Sequence, residues 1–123
     1  AQEALERHDR TPLVGERGST TWPIDAAVEV FYHDCDPALA AWAASQLRPQ
    51  EWTVAGQPSP LRAYPEVATH AIVCADDRVL DPEGCARLAT ERFGARLTRL
   101  SGGHSPMVAQ PEALADALAS GLA

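Results

Sequence analysis

The chain has 123 residues, 46% hydrophobic and 22% charged, which bounds it to about one globular domain and argues against disorder. Its net charge is −7 and all ten basic residues are arginines without a basic stripe, so nucleic acid is not an expected partner. Three cysteines without paired spacing argue for a reducing compartment, and neither a signal-like opening nor a run of about 20 apolar residues points to a membrane. The expectation is a cytoplasmic protein.

Residues 1–9 read as the tail of a helix with a thin apolar face at Ala4 and Leu5. Residues 10–23, rich in Gly, Thr, Ser and Pro, read as a surface loop. Residues 24–32 place Ala27, Val28, Phe31 and Tyr32 at helical spacing, with Asp25 as the expected cap. Val28 to Phe31 also suits a strand, and the helix is the preferred reading. A second helix is predicted from Asp36 as N-cap and Pro37 at its first position, with Leu39, Trp42, Ala43 and Leu47 on one face. It ends before Pro49, and the two helices together resemble a small cap. Pro49, Pro58, Pro60 and Pro65 each remove a backbone donor, so residues 49–67 are expected to be extended or turned.

The most ordered stretch lies further on. His70 to Cys74 reads as a strand with apolar residues on both faces, the pattern of a parallel strand covered on both sides. A helix is predicted over residues 82–93, with Asp81 as N-cap, Pro82 at N1 and Gly94 as its stop. Its inward face is expected to be Ala86, Leu88, Ala89 and Phe93. A second strand over residues 96–100 and a closing helix over residues 111–122, apolar through Leu114, Ala115, Ala117 and Leu118, complete the chain. A strand–helix–strand crossover is right-handed and sets the C-terminal ends of its two strands side by side, roughly 4.8 Å apart. Asp76 and Asp77 follow the first strand and His104 follows the second, so a carboxylate and an imidazole 27 residues apart are brought together. Two strands with apolar faces need neighbours, which points to the C-terminal part of a larger doubly wound α/β domain.

Asp77-Arg78-Val79-Leu80-Asp81-Pro82 after a buried strand, followed by Gly102-Gly103-His104-Ser105-Pro106, resembles the end of an α/β-hydrolase. In that family a D-x-hydrophobic-x-x-P turn carries the acid of a catalytic triad, and a G-H or G-x-H loop carries the base. The resemblance covers residues 31–123 and is best over residues 71–111. It implies a mostly parallel sheet of about eight strands, of which this chain would hold the last two, with flanking helices and part of a small helical cap. The domain is thus expected to be partial: a helix and loop over residues 1–23, a cap-like segment over 24–48, a Pro-rich connection over 49–67, and a strand–helix–strand–helix unit over 68–123. The family's nucleophile sits in a G-x-S-x-G elbow upstream of acid and base, and no such pentapeptide occurs. Gly15-Glu16-Arg17-Gly18-Ser19 has Arg where the nucleophile belongs.

The resemblance implies that His104 is the general base and Asp77 the residue that orients it and stabilises its cation. Imidazole exchanges its proton near neutrality, which suits the first role. The competing readings are a solvent-facing loop histidine and an ordinary turn aspartate. Asp76 is the alternative acid; the register through Val79 and Pro82 favours Asp77. His33-Asp34-Cys35-Asp36 has metal-ligand residue types, but four consecutive residues cannot all face one ion and Asp36 already has a capping role, so no metal is expected. Cys74 and Cys85 read as small core residues. Trp22, Phe31, Tyr32 and Trp42 have two readings, an acyl or aromatic pocket or packing between the two helices.

Two functions of different class result. One is an esterase-like hydrolase acting on an ester, thioester or amide of a small molecule, with its serine outside this chain and the chain alone inactive. Ser105 stands where plant hydroxynitrile lyases carry Lys after the base, which counts against lyase chemistry. The other is a noncatalytic interaction module that keeps the C-terminal half of the fold. Neither requires a cofactor, and the oligomeric state is left open.

Overall fold

The computed structural model describes residues 13–14 and 19–121. The helix expected over residues 1–9 and the last residues of the closing helix lie outside them. Two sheets are present among the described residues, one of three antiparallel strands and one of two parallel strands.

The parallel pair frames the site. β4 (His70–Cys74) and β5 (Arg96–Leu100) pair in register from His70 opposite Arg96 to Cys74 opposite Leu100. α3 (Pro82–Phe93) makes the crossover between them. Its ends follow the sequence closely: the Asp81 side chain accepts from Gly84 N–H at 2.9 Å, and Gly94 adopts the left-handed conformation, φ 59°, that stops the helix. Helix α3 buries Pro82, Gly84 and Ala86, whereas Leu88 is exposed, contrary to its expected inward face. Small residues at this contact let the helix lie close on the sheet, and Leu88 falls outside the contact stripe. α5 (Pro111–Gly121) also packs on both strands, buries Ala117 and leaves Leu118 exposed. A short helix that the sequence reading lacked, α4 (Pro106–Ala109), follows His104, with Ser105 N-terminal to it.

α1 (Ile24–Phe31) and α2 (Pro37–Ser45) form a packed helical pair. Asp36 caps α2 as the sequence predicts, accepting from Ala38 N–H at 3.0 Å and Leu39 N–H at 3.2 Å. Asp25 does not cap α1. The cap position is Pro23, two residues earlier, with Ala27 N–H bonding Pro23 C=O at 2.9 Å, so Asp25 falls in the first turn. There its charge still favours the helix dipole. The inward face of α2 also differs from expectation. Ala40, Ala43 and Ala44 are buried while Leu39, Trp42 and Leu47 are exposed, Trp42 at 59%. The small side chains allow close approach to Ala27 and Val30 of α1, which turns the large ones outward.

Two stretches expected to lack strands contain them. β1 (Leu13–Val14) and β2 (Ser19–Thr21) lie in the predicted N-terminal loop, and β3 (Gln50–Glu51) opens the Pro-rich connection. They pair in the order β1-β2-β3, antiparallel throughout. The β-branched Thr20 explains part of the pairing: it is buried, suits pleated backbone, and its Oγ1 donates to Gln50 C=O at 3.1 Å. A 3₁₀ turn, Trp52–Gly56, follows, and the residues from there to Thr69 have no regular structure, as their prolines dictate. Tyr64 fastens this connection to α3 through an edge-on contact with Phe93, ring centroids 4.7 Å apart, and lies under the Arg92 guanidinium.

Candidate active site

The C-terminal ends of β4 and β5 carry the residues singled out by the sequence. The backbone pairing runs on past the strands, Ala75 N–H to Leu100 C=O at 2.8 Å and Asp76 N–H to Gly102 C=O at 2.9 Å. The turn after β4 and the loop after β5 are therefore held together at their roots. His104 Nδ1 lies 2.9 Å from Asp77 Oδ2. An ionised carboxylate only accepts, so Nδ1 carries the proton, and in the neutral form of the ring Nε2 has a lone pair to accept another. The other Asp77 oxygen, Oδ1, accepts from Val79 N–H at 2.7 Å and Leu80 N–H at 3.0 Å. Asp77 is buried. Burial by itself raises its pKa, but the bonds from His104, Leu80 and Val79 and the imidazole charge outweigh it and hold the carboxyl below its ordinary value.

Asp76, the alternative partner, is exposed, and its Oδ2 accepts from Gly102 N–H at 2.9 Å. The two adjacent aspartates thus divide the loop between them. Asp76 fixes the backbone ahead of the histidine, and Asp77 fixes its ring.

His104 and Asp77 border a cleft of about 230 Å³ whose walls include Leu80, Pro106, Met107 and Leu114. Cys74 and Cys85 face the same cleft as thiols with raised pKa, chiefly through burial and then through Asp77 nearby. The aromatic cluster is split. Phe31 stands edge-on to Trp22, centroids 5.0 Å apart, and against the His104 ring at 5.5 Å. Trp42 points away into solvent, so neither reading of the four aromatics holds for all of them.

The segment 33–36 has a different part from ligation. Asp36 caps α2, while Asp34 Oδ2 accepts from Gly103 N–H at 2.6 Å, across 69 residues of sequence. Among the described residues, no group of three or more His, Cys, Asp or Glu side chains is placed to hold a metal ion. The role of Asp34 was not visible in the sequence. The only signal was the Gly102-Gly103 pair, which asks for close approach by something without saying what.

The family model described as the alpha/beta hydrolase family matches residues 2–117. The chain belongs to the α/β-hydrolase family. It is also similar to the alpha/beta hydrolase nvfD of Aspergillus novofumigatus, 30% identical over 89 residues. That alignment takes in 72% of this chain but 36% of the relative, so the chain spans about a third of the relative's length. No solved structure matches significantly. Membership accounts for the parallel pair with its crossover helix as part of an α/β-hydrolase sheet. Among the described residues, no helix is long and apolar enough to cross a membrane.

Proposed function

We infer that the chain supplies the acid and base of a Ser-His-Asp triad, and that the serine is carried by a part of the hydrolase fold outside this sequence. The observation that carries the reading is the bond from His104 Nδ1 to Asp77 Oδ2 at the ends of two parallel strands. The substrate is an ester, thioester or amide of a small molecule.

In the reaction, His104 Nε2 takes the proton from the serine hydroxyl as the oxygen adds to the substrate carbonyl. The imidazolium so formed is stabilised by the Asp77 carboxylate. Nε2 then gives the proton to the leaving oxygen, sulfur or nitrogen, and an acyl-enzyme remains. Water adds by the same route, its proton passing to Nε2 and then to the departing serine oxygen, which releases the acid. Asp77 keeps its charge throughout, in line with a pKa below the ordinary value.

The sequence has no G-x-S-x-G elbow, which supports a serine elsewhere.

The test joins labelling to turnover. A serine-directed fluorophosphonate should leave this chain unlabelled and label the intact enzyme that contains it. His104→Ala in that enzyme should lower kcat by about 10⁴-fold or more with the fold retained. Stoichiometric labelling of the chain alone refutes the missing serine, and activity within about tenfold of the parent refutes His104 as base.

A further inference from the structure

The loop that carries His104 is flexible by composition, because Gly102 and Gly103 precede it, and it is fixed by two carboxylates from different elements. Gly102 N–H donates to Asp76 Oδ2 at 2.9 Å, and Gly103 N–H donates to Asp34 Oδ2 at 2.6 Å. Amide bonds to an ionised acceptor are shorter and about twice as strong as neutral ones. Gly102 has φ 93°, open only to glycine at small cost. A Cβ on Gly103 would fall 2.5 Å from His33 Cε1 and 2.8 Å from Asp34 Oδ1, so the turn between α1 and α2 is closed tightly on the loop. Phe31, at the end of α1, packs on the His104 ring itself.

We propose that Asp34 is a positioning residue for the base: by holding the Gly103 amide it fixes the backbone from which His104 reaches both Asp77 and the serine. The proposal deepens the triad reading and rests on it. Asp76 alone anchors only Gly102, leaving rotation about Gly103 to misdirect the ring; Asp34 removes that freedom. A base displaced by about 1 Å loses on the order of 10²-fold in rate, so a partial loss of anchoring should be visible in kcat. The helical pair then does more than cover the site, since its connecting turn sets the aim of the catalytic histidine.

The experiment compares Asp34→Leu and Asp34→Asn in the intact enzyme. Leu cannot accept from Gly103, and kcat should fall by about tenfold or more while KM stays within about threefold. Asn keeps a carbonyl oxygen at the same place and should restore most of kcat. Gly103→Ala tests the contact from the loop side and should reproduce the loss in kcat. Nitrogen-15 NMR of the His104 ring supplies a readout apart from turnover: the protected Nδ1–H signal should broaden or vanish in Asp34→Leu and persist in Asp34→Asn. Unchanged kcat with an unchanged ring signal in Asp34→Leu overturns the proposal, as does an equal loss in Leu and Asn. His104→Ala is the control that separates the two readings. If it retains full turnover the triad reading fails, while the ring signal still reports whether Asp34 positions His104.

Discussion

Asp77 gives Oδ1 to two backbone amides and Oδ2 to an imidazole, and this division separates it from Asp76 one residue earlier. The amides lock the carboxylate in place, so that the oxygen facing His104 has a fixed direction. Asp76 accepts from the Gly102 backbone amide, and an amide carbonyl can do the same. In the intact enzyme Asp77→Asn should lower kcat by about 10⁴-fold, because the Asn carbonyl would stay on the Val79 and Leu80 amides and turn its NH₂ donor towards Nδ1, which forces the wrong tautomer. Asp76→Asn should cost less than about tenfold. Steady-state kinetics of both variants decide it, and a larger loss in Asp76→Asn would reassign the acid. The register D-x-hydrophobic-x-x-P had already favoured Asp77 in the sequence. What that register did not contain was the reason, since Val79 and Leu80 enter through their backbone amides and not through their side chains.

At the scale of elements, chain signals and packing signals behaved differently. Helix α3 was legible to the residue because its ends are local chemistry: Asp81 bonds the Gly84 amide three residues on, and Gly94 takes a conformation that side chains resist. Asp81→Ala should destabilise the chain by about 1 kcal/mol, seen as a lower urea midpoint with an unchanged slope. An unaltered midpoint would show that the first turn is satisfied otherwise. Which face of α2 points inward was not legible. Leu39, Trp42, Ala43 and Leu47 mark an apolar stripe, but close helix packing buried only Ala43 of these, together with Ala40 and Ala44. The short strands β1, β2 and β3 escaped for a related reason. Two or three residues carry too little period to read, and the pairing of β2 with β3 depends on partners 30 or more residues away, as Thr20 and Gln50 are. The Glu83–Arg99 pair adds little to either strand or helix, since its side chains are 73% and 45% exposed.

For the molecule as a whole, the Asp77 carboxyl links stability to pH. Its pKa is held below the ordinary 3.8, so the unfolded chain takes up that proton more readily than the folded one. The stabilisation is therefore fully present above the ordinary value and is lost as the pH falls through the folded one. Acidification should lower the urea midpoint of the parent, and Asp77→Asn should show a shallower fall. Identical acid dependence in the two proteins would mean that other carboxyls dominate. The sequence separation of the two loop anchors also favours an order of assembly. The bond between Asp76 and Gly102 joins residues 26 apart, whereas Asp34 and Gly103 are 69 apart. Closing the longer loop costs about 0.9 kcal/mol more in chain entropy. The strand pair and its crossover can thus form first, with the histidine already near its aspartate. On that ordering the clamp from the helical turn arrives afterwards, and the loop of His104 is the last part of the site to become rigid.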